Sequence, residues 1–91
     1  MAKAIRVLIV DDHPVFRFGL RQLIQAKGGF QIVAEASTGD EALELARKTT
    51  PDVVLLDLAM PQTSGMDVLK IFAKSSSHPK VILLTAGIEK V

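Results

Sequence analysis

Two apolar runs of this chain end in carboxylates. Ile5-Arg6-Val7-Leu8-Ile9-Val10 runs into Asp11-Asp12, and the run that begins at Asp52 and continues through Val53-Val54-Leu55-Leu56 ends in Asp57. A third run, Val81-Ile82-Leu83-Leu84, ends in Thr85. If these runs are neighbouring parallel strands, three acids and a hydroxyl meet at one edge of a sheet. That edge is where open α/β sheets bind ligands, at the point where strand order reverses. Carboxylates about 4 Å apart repel by roughly 4 kcal/mol per pair at an effective dielectric near 20, so the cluster calls for a cation. Oxygen donors and no cysteine point to a hard ion, Mg²⁺ above all, which keeps waters that a phosphoryl oxygen can replace. Taken singly, each acid reads equally well as a helix cap or turn residue, and Thr85 as a common strand-end threonine. Their joint placement carries the inference.

The elements that must position these residues follow from periodicity. Ile5 to Val10 reads as a first strand, and its continuous apolar character fits a strand covered on both faces. Pro14 sits near a helix start, and Phe16, Leu20, Leu23 and Ile24 recur at helical spacing as one buried stripe, which Gly28-Gly29 ends. Phe30 to Ala36 reads as a second strand. Thr38 or Ser37 caps a second helix with Asp40 and Glu41 in its first turn and Arg47 and Lys48 in its last, matching the helix dipole. Pro51 prevents continuation, and Asp52 to Asp57 is a third strand. The stretch from Leu58 to Gly65 is a loop, in whose turn Gly65 takes a positive φ. Val68, Leu69, Ile71, Phe72 and Ala73 mark a third helix; Ser75 to Pro79 breaks it, and Lys80 to Thr85 is a fourth strand. Alternation of strand and helix implies a doubly wound α/β fold around a parallel sheet.

Ninety-one residues support one core, and 48% hydrophobic with 23% charged residues is ordinary for a globular domain. A net charge of +1 without a basic run gives no reason to expect direct nucleic-acid contact. The apolar runs are far shorter than the roughly 20 residues of a membrane helix, and the absence of cysteine suits a reducing cytoplasm. Three further residues have plain readings. His13, before Pro14, reads as an exposed loop histidine rather than a metal ligand, and Arg17 and Arg21 as a solvated helix face.

Asp11-Asp12-His13-Pro14, the stretch from Asp57 through Met60-Pro61 to Gly65, and Leu83-Leu84-Thr85-Ala86 together resemble the receiver domain of bacterial two-component response regulators. The stretch from His13 to Arg21 further resembles the LuxR/NarL-type subfamily, whose members carry a C-terminal DNA-binding, transcription-regulating domain. The resemblance implies a flavodoxin-like (CheY-like) fold with strand order 2-1-3-4. It implies that Asp57 accepts a phosphoryl group from a sensor histidine kinase or a small acyl phosphate, as a phosphoacceptor rather than an enzyme. Asp12 would ligate Mg²⁺ directly and Asp11 through water, with Asp57 and the Ala59 carbonyl completing the site. The Thr85 hydroxyl and the Ala86 N–H would contact the phosphoryl group, and Met60, Pro61 and Gly65 would shape the loop.

By the same resemblance, residues 1–91 form an incomplete receiver domain with no output domain. The family's fourth helix, its fifth strand with a phosphate-binding lysine, its aromatic switch residue and its fifth helix are then missing. The fourth strand would be an uncovered apolar edge, so either the chain is a fragment of a longer regulator or it completes its sheet with another copy, as a homodimer or by strand exchange. Other readings weigh less. A haloacid-dehalogenase-type phosphatase needs an acid two residues after the nucleophile, where this chain has Ala59. A flavodoxin-like nucleotide binder needs a phosphate-cradling loop, where this chain has Asp11-Asp12. A phosphorylation-independent interaction module is the remaining alternative.

Overall fold

The computed structural model describes residues 3–57, 65–74 and 79–84. Strands β1 (Ile5–Val10), β2 (Phe30–Ala36), β3 (Val53–Asp57) and β4 (Lys80–Leu84) alternate with helices α1 (Pro14–Lys27), α2 (Gly39–Thr49) and α3 (Gly65–Lys74). All pairings are parallel, in the order β2-β1-β3-β4. After β2 the chain crosses back over β1 to add β3 on its other side, so β1 and β3 flank the point where strand order reverses. No described helix is long and apolar enough to cross a membrane.

Strands β1 and β3 are buried for the reason read in their sequences: side chains on both sheet faces are apolar. On one face Leu8, Val10, Val54 and Leu56 pack with Ala36 of β2, Ala42 of α2, and Val68 and Phe72 of α3 to form the main core. Residues of the opposite face, Val7, Val53, Leu55 and Ile82, line an apolar groove of about 390 Å³ together with Leu23 and Ile24 of α1. Helix α1 therefore covers this face only in part. Its expected buried stripe is corrected accordingly: Leu20 and Ile24 are half-buried, but Phe16 is 40% and Leu23 70% exposed. At the sheet edge, Ile82 and Leu83 of β4 are 51% and 40% exposed.

Local chemistry sets the element ends. The Thr38 hydroxyl accepts the Glu41 N–H at 3.1 Å, while the Glu41 carboxylate reaches back to the Ser37 N–H at 2.7 Å, a reciprocal cap of the first turn of α2. Gly28 and Gly29 end α1 at φ of 78° and 85°, a region open to glycine, and the Gly29 carbonyl accepts the Ile5 N–H. Pairing of β1 with β2 slips by one residue: Val7 lies opposite Ile32, but Leu8 lies opposite Ala34, leaving Val33 as a bulge. Two boundaries differ from the sequence reading. Strand β3 starts at Val53 rather than Asp52, and Gly65 is the first residue of α3, not the loop residue expected.

Because the Thr38 side chain satisfies an otherwise orphaned N–H, Thr38→Ala should destabilise the domain by about 1 kcal/mol. In a thermal melt this corresponds to a midpoint roughly 4–8 °C lower.

Candidate metal centre

The register of β1 with β3 builds the site. Val10 pairs with Leu56, so the next residues along each strand, Asp11 and Asp57, leave the sheet side by side. Asp11 is fully buried and Asp57 is 1% exposed. Two groups hold the Asp11 backbone: its N–H donates to the Ala36 carbonyl at 2.9 Å, and its carbonyl accepts from the Arg17 guanidinium at 2.6 Å. Its Oδ1 accepts the His13 N–H at 2.7 Å, closing an Asx turn that leads the chain into α1. Asp12 stands at the more open side, its side chain 24% exposed.

His13 is an exposed residue just ahead of α1, as expected, but its ring also stands among these acids. Its imidazole is 48% exposed, yet Nδ1 lies 3.0 Å from Asp12 Oδ1, 3.3 Å from Asp11 Oδ1 and 3.9 Å from Asp57 Oδ2. The four residues place ligand-type atoms within 4.8 Å of one another. Sequence spacing did not reveal this, because position 13 lies outside the strand whose periodicity located the acids. Its identity as the residue before a helix-initiating proline, which holds its backbone extended, was the available signal.

The electrostatics of the pocket favour a cation. Burial pushes the Asp11 carboxyl above the usual aspartate range, and the neighbouring Asp57 charge adds to the shift; the His13 hydrogen bonds oppose it. Asp11 Oδ2 is sequestered from solvent without a hydrogen bond among the described residues, and Asp12 Oδ1, equally sequestered, has the His13 Nδ1 at 3.0 Å. Buried carboxylate oxygens in this condition are costly unless a positive charge meets them. The donor set thus fits a divalent ion held by Asp11, Asp12 and Asp57. Ala59, Met60, Pro61, Thr85 and Ala86 lie outside the described residues. Leu84, which precedes Thr85, pairs with Asp57.

Arg17 and Arg21 correct an expectation. Rather than forming a solvated face, both reach Glu35 of β2, Arg17 Nε at 3.1 Å from Oε1 and Arg21 at 2.7 Å from Oε2. Arg17 thereby ties the Asp11 carbonyl, α1 and β2 together. Glu35, the one acid of the β2 sequence, was the signal.

Fold and site define a receiver-type domain, and comparison with known proteins agrees. The family model for the response regulator receiver domain matches residues 7–91. The chain belongs to this family. A nitrate/nitrite response regulator homologue of Haemophilus influenzae is 38% identical over 96% of this chain and 42% of its own length. The nitrate/nitrite response regulator NarP of Escherichia coli is 43% identical over 94% of this chain and 40% of its own. The chain thus spans about two fifths of these curated relatives. Among solved structures, the receiver domain of the putative response regulator NarL from Mycobacterium tuberculosis superposes with a TM-score of 0.83 at 37% identity, covering 89% of this chain and 65% of that one. A LuxR-family response regulator from Aurantimonas gives 0.82 at 36% identity, covering 89% and 58%.

The raised Asp11 pKa has a definite sign. A carboxyl that binds its proton more tightly folded than unfolded costs stability above its folded pKa, and that cost fades as pH falls toward the unfolded value of 3.8. In chelator-treated protein, Asp11→Asn should therefore raise the thermal midpoint at pH 7. The gain should shrink progressively on acidification toward pH 4, as followed by circular dichroism. An equal gain at both pH values would contradict the assigned cause.

Proposed function

We propose that Asp57 is a phosphoacceptor, phosphorylated in an Mg²⁺-dependent reaction by a sensor histidine kinase or a small acyl phosphate. The observation that carries this reading is the convergence of Asp11, Asp12 and Asp57 beside the switch between β1 and β3. A carboxylate oxygen of Asp57 attacks phosphorus, the bond from phosphorus to the donor imidazole nitrogen breaks, and its electron pair leaves with the donor. An acyl phosphate remains on Asp57. A carboxylate needs no general base for this attack at neutral pH.

Asp11, Asp12, Asp57 and the Ala59 carbonyl would hold the metal, which when bound offsets charge on the phosphoryl oxygens. Burial of Asp11 and Asp57 limits water around the reacting carboxylate, while the more open Asp12 and His13 mark the side from which a donor approaches. The Thr85 hydroxyl and the Ala86 N–H receive the phosphoryl group. Ala59 brings no general base, so dephosphorylation depends on metal and water. The domain acts as a phosphorylated switch, not an enzyme with turnover, in a cytoplasmic two-component pathway. In a longer protein it would govern a C-terminal DNA-binding, transcription-regulating domain.

Incubation with acetyl phosphate and Mg²⁺ should yield a single phosphoryl adduct by intact mass. It should be absent from Asp57→Asn and from chelated samples. A folded chain that gives no adduct would sink the proposal.

A second reading, a self-associating interaction module, is favoured by the partly covered groove and the exposed Ile82 and Leu83. Light scattering after size exclusion should then show a concentration-dependent dimer that Ile82→Glu converts to monomer. A stable wild-type monomer at high concentration would remove this reading.

A further inference from the structure

Three carboxylates alone would make a hard, all-oxygen site, but the imidazole of His13 stands among them. Nδ1 lies 3.0, 3.3 and 3.9 Å from oxygens of three different acids. Adjacent ligands of an octahedral ion with bonds of about 2.1 Å are separated by about 3.0 Å, and opposite ones by about 4.2 Å. The spacing of Nδ1 to the acids falls within that range. The backbone that carries the ring is fixed: the His13 N–H is bonded to Asp11 Oδ1 at 2.7 Å, its carbonyl accepts the Arg17 N–H at 2.9 Å, and Pro14 follows. Asp11 Oδ2, on a fully buried side chain and without a hydrogen bond among the described residues, independently points to a cation in the same pocket.

We propose that His13 is a nitrogen ligand of this metal centre and biases it toward first-row transition ions over Mg²⁺. The proposal rests on the metal-centre reading above and deepens it. Imidazole binds Zn²⁺ and Ni²⁺ well and Mg²⁺ poorly, so one nitrogen in an otherwise oxygen donor set changes selectivity more than total affinity. The same pocket then senses which divalent ion is available, since a nitrogen-ligated ion and a water-rich magnesium ion offer a phosphoryl group different numbers of exchangeable positions.

Calorimetric titration of the unphosphorylated 91-residue chain with Mg²⁺ and with Ni²⁺ tests this. His13→Ala should lower the Ni²⁺ to Mg²⁺ affinity ratio by at least about tenfold, the lower end of the loss seen when even an outer partner of a ligand is removed. Mg²⁺ affinity should stay within about threefold, and His78→Ala, which alters the chain's other histidine, should leave the ratio unchanged. Pulsed electron paramagnetic resonance of Mn²⁺ bound to the wild-type chain should show coupling to an imidazole nitrogen, a readout independent of whether any variant folds. An unchanged ratio with Mg²⁺ binding intact, or no nitrogen coupling on bound Mn²⁺, would overturn the proposal and leave the metal centre standing. Such a result would make Nδ1 only a hydrogen-bond partner of the acids. Failure of the wild-type chain to bind any of the three ions at millimolar concentration would overturn both.

Discussion

Asp11 and Asp57 are brought together in a place where water cannot separate their charges, and the pairing of β1 with β3 leaves them no alternative. Each is the residue that follows a buried parallel strand, and the register that seals Val10 against Leu56 is the same one that aligns the acids. The hydrophobic effect drives the strands together, and like-charge repulsion at their ends is its direct consequence. Among the described residues, His13 and Arg17 hold Asp11 in place. The His13 N–H and imidazole approach from the turn that precedes α1, and the Arg17 guanidinium fixes the Asp11 carbonyl. The acids thus sit in a frame too well packed to let them move apart. Bringing these acids together costs the domain stability, an arrangement common where function is placed on an otherwise optimised fold.

Much of this was legible in one dimension, because the features concerned are periodic or terminal. Continuous apolar runs marked β1 as a strand covered on both faces and β3 as its neighbour, and the acids at their ends marked the edge where they converge. Pro14, Gly28-Gly29, Thr38 and Pro51 punctuated the helices for stereochemical reasons that do not depend on tertiary context. What escaped was the pairing of side chains from different elements. Glu35 and the two arginines are 14 and 18 residues apart and meet only once α1 lies on β2. His13 escaped for a related reason: its role is set by the turn that Asp11 closes, not by the pattern of its neighbours. The exposed Leu23 shows the converse error, in which helical spacing is taken for burial although the sheet beneath is wider than the helix above it.

The two sheet faces have different duties. On one, α2 and α3 close a dense aliphatic core over the central strands. On the other, α1 follows directly on the histidine beside the acids and carries the arginines that meet Glu35, while leaving a groove along its flank. The helix that supports the pocket is therefore the one least committed to the core, with no fully buried residue along its length. Anything that seats in the groove would press on the helix from which Arg17 projects.

The one-residue bulge at Val33 in β2 can be understood as a phase inverter. Strict alternation from Phe30 and Ile32, whose partners Ile5 and Val7 line the groove, would send Glu35 to the opposite face, into the aliphatic layer beneath α2. The extra residue reverses the parity of everything after it. Ala34 and Ala36 thereby turn into that layer, and Glu35 emerges beneath α1 to meet Arg17 and Arg21. A single inserted position thus decides whether this carboxylate is an isolated charge in hydrocarbon or the anchor of an ionic clamp. Because Arg17 also grips the backbone at Asp11, strand parity more than a dozen residues beyond the metal-site turn helps set the alignment of the pocket itself.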